Sequence, residues 1–273
     1  MSSSPTGVAV VTIVAGRRDH LARQLQGLQR QTRPADELVV VRMDSRDLCL
    51  PTRPASRVTV IDLPERERLH LAAARNLGVR AAASAAVVLL DVDCIPGSRL
   101  VEACADTLQQ VDGLVTGPLR YLAEGQPGGT WTEPQLRAAS HQHAARPAPD
   151  PGDLVRDDRH ELAWTTSLAL RRESFERIGG FDERFTGYGG EDTDFAVRAH
   201  GAGLGVWWHG DVVAYHQHHP TQNPPVQHLD DIVRNAALFR GIHGWYPMSG
   251  WLEEFARRDL VEFDPDAGVL RLR

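Results

Sequence analysis

Val87-Val88-Leu89-Leu90-Asp91-Val92-Asp93-Cys94 is an unbroken apolar run that ends in two carboxylates spaced i, i+2. The run reads as a strand buried on both faces, as in a parallel sheet. In open α/β sheets, ligands sit beyond the carboxyl ends of the strands, and that is where the two acids fall. Strand side chains alternate faces, so a strand continuing through the acids points Asp91 and Asp93 the same way. Two hard oxygen donors at such an edge suit Mg²⁺ or Mn²⁺ together with a substrate phosphate. The plain alternative is a strand end closed by a turn, with Asp as turn former and Pro96-Gly97 behind it.

The flanking chain repeats the alternation of strand and helix. Val8 to Ala15 is a short β-branched run, and Leu21, Leu25 and Leu28 follow at helical spacing. Glu37 to Met43 and Val58 to Leu63 predict two more strands. A helix with apolar Leu71, Ala74 and Leu77 precedes the strand from Ala85 to Leu90. Leu100 to Val111 predicts a helix and Gly113 to Thr116 a short strand. This order predicts an α/β fold with a Rossmann-like, doubly wound, mostly parallel sheet. Periodicity is lost between Leu122 and Leu162, a Gly- and Pro-containing stretch that reads as a binding loop or lid, or as a linker over a short helix. It resumes with a strand from Thr165 to Leu170, helices over Arg171 to Ile178 and Glu191 to His200, and strands near Gly205 to Trp208 and Val212 to Tyr215. From Gln227 the chain reads as an amphipathic helix, a Trp-rich segment and a short tail. No internal repeat is present.

Composition narrows the function. The 273 residues are 42% hydrophobic and 24% charged with a net charge of -6, enough for one substantial core and unsuited to general nucleic-acid binding. All 30 basic residues are Arg, so no Lys can serve as base or Schiff-base nucleophile. Cys49, Cys94 and Cys104 lie far apart without a C-x-x-C spacing, which disfavours a zinc site or disulfide framework and fits a reducing compartment. The start, Met1-Ser2-Ser3-Ser4-Pro5, lacks a basic and apolar leader, and no window approaches about 20 apolar residues. The expectation is a soluble cytoplasmic protein without an integral membrane segment.

Three further clusters carry chemistry. Gly187-Tyr188-Gly189-Gly190-Glu191-Asp192-Thr193-Asp194 places carboxylates at the start of a helix, directly after glycines that let the backbone approach a ligand. Helix capping alone accounts for Asp194. The Glu191-Asp192 pair faces the space the glycines leave, where a carboxylate can act as general base on a hydroxyl. Tyr215-His216-Gln217-His218-His219-Pro220 supplies imidazoles for a metal of the Mn²⁺ class. On a strand His216 and His218 share a face, so the three histidines cannot all serve one ion. Ala74-Arg75-Asn76-Leu77-Gly78 puts an Arg suited to phosphate beside an Asn of poor helix propensity. A solvated helix face is the simpler reading.

Together these stretches resemble the family 2 glycosyltransferases of the GT-A fold. VTIVAGRRDHLARQL resembles their first strand, nucleotide loop and helix, which implies donor contacts at Val14, Ala15, Gly16 and Arg17. LVVVRMDS resembles the second strand, whose terminal Asp meets the nucleotide base, here Asp44. AARNLGVRAA with VVLLDVDC resembles the donor-binding helix and Asp-x-Asp strand, implying donor contacts at Arg75, Asn76, Asp91, Val92 and Asp93. FERIGGFDERFTGYGGEDTDFAVRAHGAG resembles the C-terminal part of galactosyltransferase-like enzymes. By that resemblance Asp192 is the catalytic base and Glu191 orients the acceptor. Asp93 and His216 hold Mn²⁺ or Mg²⁺, with Asp91 and His218 as further candidate ligands. The chain departs from the family at Arg42-Met43-Asp44-Ser45, at Ala15-Gly16, and at Ser167, where Asn is frequent.

The implied reaction is inverting transfer of a sugar from a nucleoside diphosphate donor, UDP favoured, to a hydroxyl of a sugar, a lipid-linked sugar or a small metabolite. Residues 1–220 form the expected catalytic domain, with a nucleotide-sugar half to about residue 117 and an acceptor half from 118. Residues 221–273 form a C-terminal helical extension packed on it. A nucleotidyltransferase, a metal-dependent hydrolase and a non-catalytic sugar-nucleotide binder are the alternatives. The last has no use for Glu191-Asp192.

Overall fold

The computed structural model describes residues 7–44, 50, 55–64, 67–220 and 222–273. Ser45, Cys49 and the N-terminal stretch through residue 6 lie outside the described residues.

The expected strand-helix alternation is present over the first half. Strands β1 (Val8–Val14), β2 (Ala35–Arg42), β3 (Ala55–Asp62) and β4 (Ala86–Leu90) are joined through helices α1 (Arg18–Gln29) and α2 (Leu71–Ala81). A short strand β5 (Cys94–Pro96), helix α3 (Leu100–Gln110) and strands β6 (Gly113–Thr116) and β7 (Leu119–Leu122) follow. Alternate residues of β1 explain why both faces of the sheet are covered. Val8, Val10 and Val14 pack with Leu21, Leu25 and Leu28 of α1 and with Leu100, Cys104 and Leu108 of α3. Ala9, Val11 and Ile13 pack on the other face with Ala72, Ala74 and Val79 of α2. That helix lies very close to the sheet at Gly78, where an added Cβ would collide with Val11 Cγ1. Only a residue without a side chain fits there.

The stretch from Leu122 to Leu162 is less irregular than its composition predicts. It holds α4 (Glu133–Ala138), β8 (Ser140–Gln142) and β9 (Leu154–Arg156). Thr132 and Gln135 form a reciprocal capping box on α4. β8 pairs with β7, and β9 with a later strand at Gly205–His209, so the stretch is stitched to two sheets. Next come β10 (Ser167–Arg171), α5 (Arg172–Ile178), α6 (Glu191–Gly201), β11 (Gly205–His209) and β12 (Ala214–His216).

The main sheet has eight strands in the order β3-β2-β1-β4-β10-β6-β11-β9. Its first four strands are parallel. β10 is antiparallel to both β4 and β6, β11 is parallel to β6, and β9 is antiparallel to β11. The sheet is therefore mixed beyond β4. An apolar run of five residues specifies burial but not direction, which the long excursion before β10 sets. A second sheet has the order β5-β12-β7-β8.

The end of the chain is not a simple tail. Helices α7 (Leu229–His243) and α8 (Ser249–Arg257) are followed by a hairpin, β13 (Val261–Asp264) with β14 (Val269–Leu272). Ile232, Ala236, Leu252, Phe255 and Val261 form a small core of their own. Two sets of polar contacts dock this unit on α6 and the loop before it. Asn235 Nδ2 donates to the carbonyls of Thr186, Tyr188 and Gly189, and His243 Nε2 lies 2.8 Å from Asp194 Oδ1. Among the described residues, no helix is long and apolar enough to cross a membrane.

Candidate active site

β4 stops at Leu90, and Asp91 to Asp93 form a turn in which Cys94 N donates to Asp91 O at 2.8 Å. The strand geometry that would put both acids on one face does not persist. The turn instead separates their tasks. Asp91 accepts from Arg75 Nη2 at 3.0 Å, whereas Asp93 turns toward the second sheet. There β5 pairs antiparallel with β12, and His216 lies opposite Cys94. His216 Nε2 is 3.7 Å from Asp93 Oδ1 and His219 Nε2 is 3.5 Å from Asp93 Oδ2. Arg17 Nη1 pairs with Oδ2 as well.

Asp93, His216 and His219 offer three ligand atoms that all lie within 4.8 Å of one another. Ligands held at about 2.1 Å from one small divalent ion are separated by roughly 3–4 Å, so this set fits such an ion. Burial would raise the Asp93 pKa, but His219, His216 and Arg17 hold it well below the usual carboxylate range. Burial lowers the His216 pKa, which favours the neutral, ligating imidazole. His218 is the exception to the sequence reading. It is exposed, and its carbonyl oxygen is 3.3 Å from His20 Nε2. β12 ends at His216, so strand alternation does not reach residue 218, and the chain turns His219 back toward Asp93.

The acid pair sits across the same edge. Gly187, Gly189 and Gly190 have φ of 74°, 88° and 94°, a left-handed path that other residues rarely adopt. This path delivers Glu191 and Asp192 as the first residues of α6. Glu191 is buried and accepts from Arg75 Nη1 at 2.9 Å. A single buried guanidinium thus bridges Asp91 at the end of β4 and Glu191 at the start of α6. Asp192 Oδ1 accepts from Thr193 N at 2.8 Å. Burial, then the negative charge of Glu191, push the Asp192 pKa up to about 7 against the pull of Arg75. A carboxyl poised there suits general base catalysis near neutral pH. Asp194 is fully buried and bound to Arg198 and His243, a purely structural role.

The first loop lies at the same sheet edge. Val14 ends β1 and is buried, Gly16 has φ 77°, and Gly16 N donates to Asp44 Oδ2 at 2.7 Å. Ala15 and Asp44 are thereby held together at the carboxyl ends of β1 and β2. Val92 is buried in the turn between the two acids.

Asn76 does not face this loop. Its amide donates to Phe181 O and Glu183 Oε1, and its oxygen accepts from Phe181 N. It clamps the turn after α5, so neither a donor contact nor a solvated face describes it.

Three connections escaped sequence reasoning, although each of the residues lies in a motif it singled out. His219 takes the place expected of His218. Arg75 links two acids separated by a hundred residues of chain. Tyr188, 36% exposed within the glycine turn, stacks on His228 with centroids 4.5 Å apart, and the Trp251 ring lies 6.2 Å away. An aromatic residue flanked by glycines was a signal for Tyr188. Nothing local points to His228.

Residues 9–179 match glycosyl transferase family 2, and residues 159–219 match the N-terminal domain of galactosyltransferase. The validoxylamine A glucosyltransferase of Streptomyces hygroscopicus subsp. jinggangensis is 27% identical over 220 residues, covering 72% of this chain and 52% of the relative. The chain thus spans about half the length of that relative. GalNAc-T7, solved with UDP, GalNAc and Mn²⁺, superposes with a TM-score of 0.60 at 16% identity over 94% of this chain and 57% of that one. The mannosyltransferase PcManGT of Pyrobaculum calidifontis, solved with GDP-Man and Mn²⁺, gives 0.54 at 19% identity, covering 98% and 67%. With the mixed main sheet, the smaller second sheet and the acid-rich edge described above, these likenesses identify the fold as GT-A and show that the chain belongs to glycosyl transferase family 2.

Proposed function

We propose that this glycosyltransferase is an inverting, metal-dependent enzyme that moves a sugar from a UDP-sugar to a hydroxyl acceptor. The observation that carries the reading is the junction at Arg75, which ties the Asp91–Asp93 turn to the Glu191–Asp192 pair. Donor-side and acceptor-side acids then meet at one sheet edge.

In this reading Asp93, His216 and His219 hold Mn²⁺ or Mg²⁺, with Asp91 toward the donor. The ion supplies charge neutralisation for the departing diphosphate. Val14 to Arg17 and Asp44 line the nucleotide. Asp192 takes the proton from the acceptor hydroxyl. That oxygen forms the new bond to the anomeric carbon as the bond to the diphosphate oxygen breaks on the opposite face, which inverts the configuration. Glu191, fixed by Arg75, orients the acceptor, and the Tyr188 ring offers a flat surface to a sugar or another ring-bearing acceptor. Solved neighbours with UDP or GDP-Man and Mn²⁺ support the donor and metal classes. The buried free thiols of Cys94 and Cys104 suit a cytoplasmic setting.

A thermal-shift panel of UDP-, GDP- and dTDP-sugars with and without Mn²⁺ tests the reading. Ligand at about a hundredfold its dissociation constant stabilises the folded state by about 2.7 kcal/mol. UDP-sugars are expected to raise Tm by several degrees only when Mn²⁺ is present. A shift indifferent to Mn²⁺ overturns the metal dependence, and a larger shift with GDP- or dTDP-sugars overturns the UDP assignment.

A further inference from the structure

Asp93 Oδ2 is addressed twice. Arg17 Nη1 pairs with it, and His219 Nε2 stands 3.5 Å from it. The same carboxylate is the only acid in the three-residue group that fits a divalent ion. A guanidinium and a divalent cation compete for one carboxylate oxygen, because like charges a few ångströms apart repel wherever water is partly excluded. The Arg17 side chain is 38% exposed while that of Asp93 is 12% exposed, so the guanidinium has solvent to move into. Its backbone follows Gly16 at φ 77°, and as the residue before α1 it makes no side-chain cap. His20, one turn further along, faces the same cluster, with its ring 6.3 Å from that of His219.

We propose that Arg17 is a built-in cation placeholder: it occupies Asp93 when no metal is bound, must swing out for a divalent ion to enter, and is thereby released toward the nucleotide loop. The inference rests on the metal-dependent donor site proposed above. Its consequence is a linkage between metal and donor. A diphosphate draws an arginine strongly through paired N–H···O bonds. Donor that captures the released guanidinium removes the competitor of the metal, and metal that displaces Arg17 readies it for donor. Binding of each then favours the other by the same factor.

Mn²⁺ titration by calorimetry, without turnover, tests this on the full chain. Arg17→Met keeps the aliphatic stem and removes the charge, and is expected to bind Mn²⁺ roughly five- to tenfold more tightly than the parent protein, the factor carried by a partly exposed ion pair of about 1 kcal/mol. Arg17→Lys keeps the charge and should stay near the parent affinity. UDP should tighten Mn²⁺ binding by a smaller factor in Arg17→Met than in the parent. Equal or weaker Mn²⁺ binding by Arg17→Met, or equal tightening by Met and Lys, overturns the placeholder. Asp93→Asn separates the two levels. If it binds Mn²⁺ as well as the parent, or if the parent binds none, the metal site itself is refuted and the placeholder with it. If Asp93→Asn loses the ion and Arg17→Met gains nothing, only the placeholder falls. Circular dichroism and Tm of each variant confirm that it is folded.

Discussion

Asp93 and Asp192 are two acids removed from most of their water at one edge of one sheet, yet their protons are held in opposite ways. Burial pushes both pKa values up. At Asp93 two imidazoles and the Arg17 guanidinium overcome that push and keep the carboxylate ionised. At Asp192 the charge with the largest effect is another acid, Glu191, and the guanidinium of Arg75 is divided between Glu191 and Asp91. The difference shows that neighbours, not burial, assign the tasks. An always-ionised carboxylate suits a ligand, and one poised near 7 suits a base. Replacing each acid by its amide is the most direct way to break the contrast.

The largest effect is expected at Asp192. Asp192→Asn keeps the shape and removes the basicity, and should lower kcat by on the order of 10²–10⁴-fold with donor affinity nearly unchanged. Steady-state kinetics with a competent acceptor, paired with UDP binding, measures both. A kcat within threefold of the parent would remove Asp192 from the role of base. In the parent protein the rate should fall about tenfold per pH unit below an apparent pKa of about 7, and above it should level off.

Next in size is metal affinity. His219→Ala removes one of the three proposed ligands and should weaken Mn²⁺ binding by about 10- to 100-fold, judging by the sensitivity of metal sites to their supporting groups. Calorimetric or paramagnetic titration reads it. Unaltered affinity would take His219 out of the site and return the question to His218.

The two amides should also change stability with opposite signs. The folded protein raises the Asp192 pKa above its unfolded value, so this group's contribution is fully present below about pH 4 and is lost as pH rises toward 7. Asp192→Asn should therefore raise Tm at pH 8 by a few degrees, equivalent to on the order of 1 kcal/mol, and leave it nearly unchanged at pH 4. Asp93→Asn leaves Arg17 and two imidazoles facing a neutral group, and should lower Tm at pH 8 by a comparable amount. Metal-free scans of both variants at both pH values check the signs. Two shifts of the same sign would refute the opposition of charges.

Glu191→Gln sharpens the comparison further. It removes the negative charge beside Asp192 and leaves its burial in place. The acid limb of the pH-rate profile should move to lower pH, and acceptor KM should rise more than kcat falls. A limb that stays in place would mean that burial alone sets the Asp192 proton.

The alternation of strand and helix through β4 was readable because the buried strands are continuous apolar runs and the helices carry a 3.6-residue stripe. The reversal at β10 was not, because hydrophobicity carries no strand direction. The acids of the site were readable as local clusters: Asp91 with Asp93, and Glu191 with Asp192. Their connection was not, since Arg75 reaches both only once α2 packs on β1 and β2. Asn76 illustrates the converse. An Asn with poor helix propensity signals a specific task, but its sequence position cannot distinguish a ligand contact from a clamp on the Phe181 backbone. The hairpin after α8 escaped because Val261 to Leu272 alternates weakly and holds several charges.

The smallest effect is expected at His218, and it decides a point of geometry. Periodicity pairs His216 with His218 on any strand that spans both, whereas the chain leaves β12 at His216 and folds Gln217 inward, with Gln217 N donating to the Asp93 carbonyl at 2.7 Å. That bond anchors the chain just past His216 to the turn that carries Asp93. His218 is then left exposed, with its backbone rather than its ring near His20. His218→Ala should accordingly change Mn²⁺ affinity and kcat by less than about twofold, in line with a surface substitution. Measured beside His219→Ala, it turns the site into a two-residue test of whether alternation or the Gln217 anchor governs the end of β12. A tenfold loss in His218→Ala with a silent His219→Ala would mean that the strand continues to residue 218 when the ion binds.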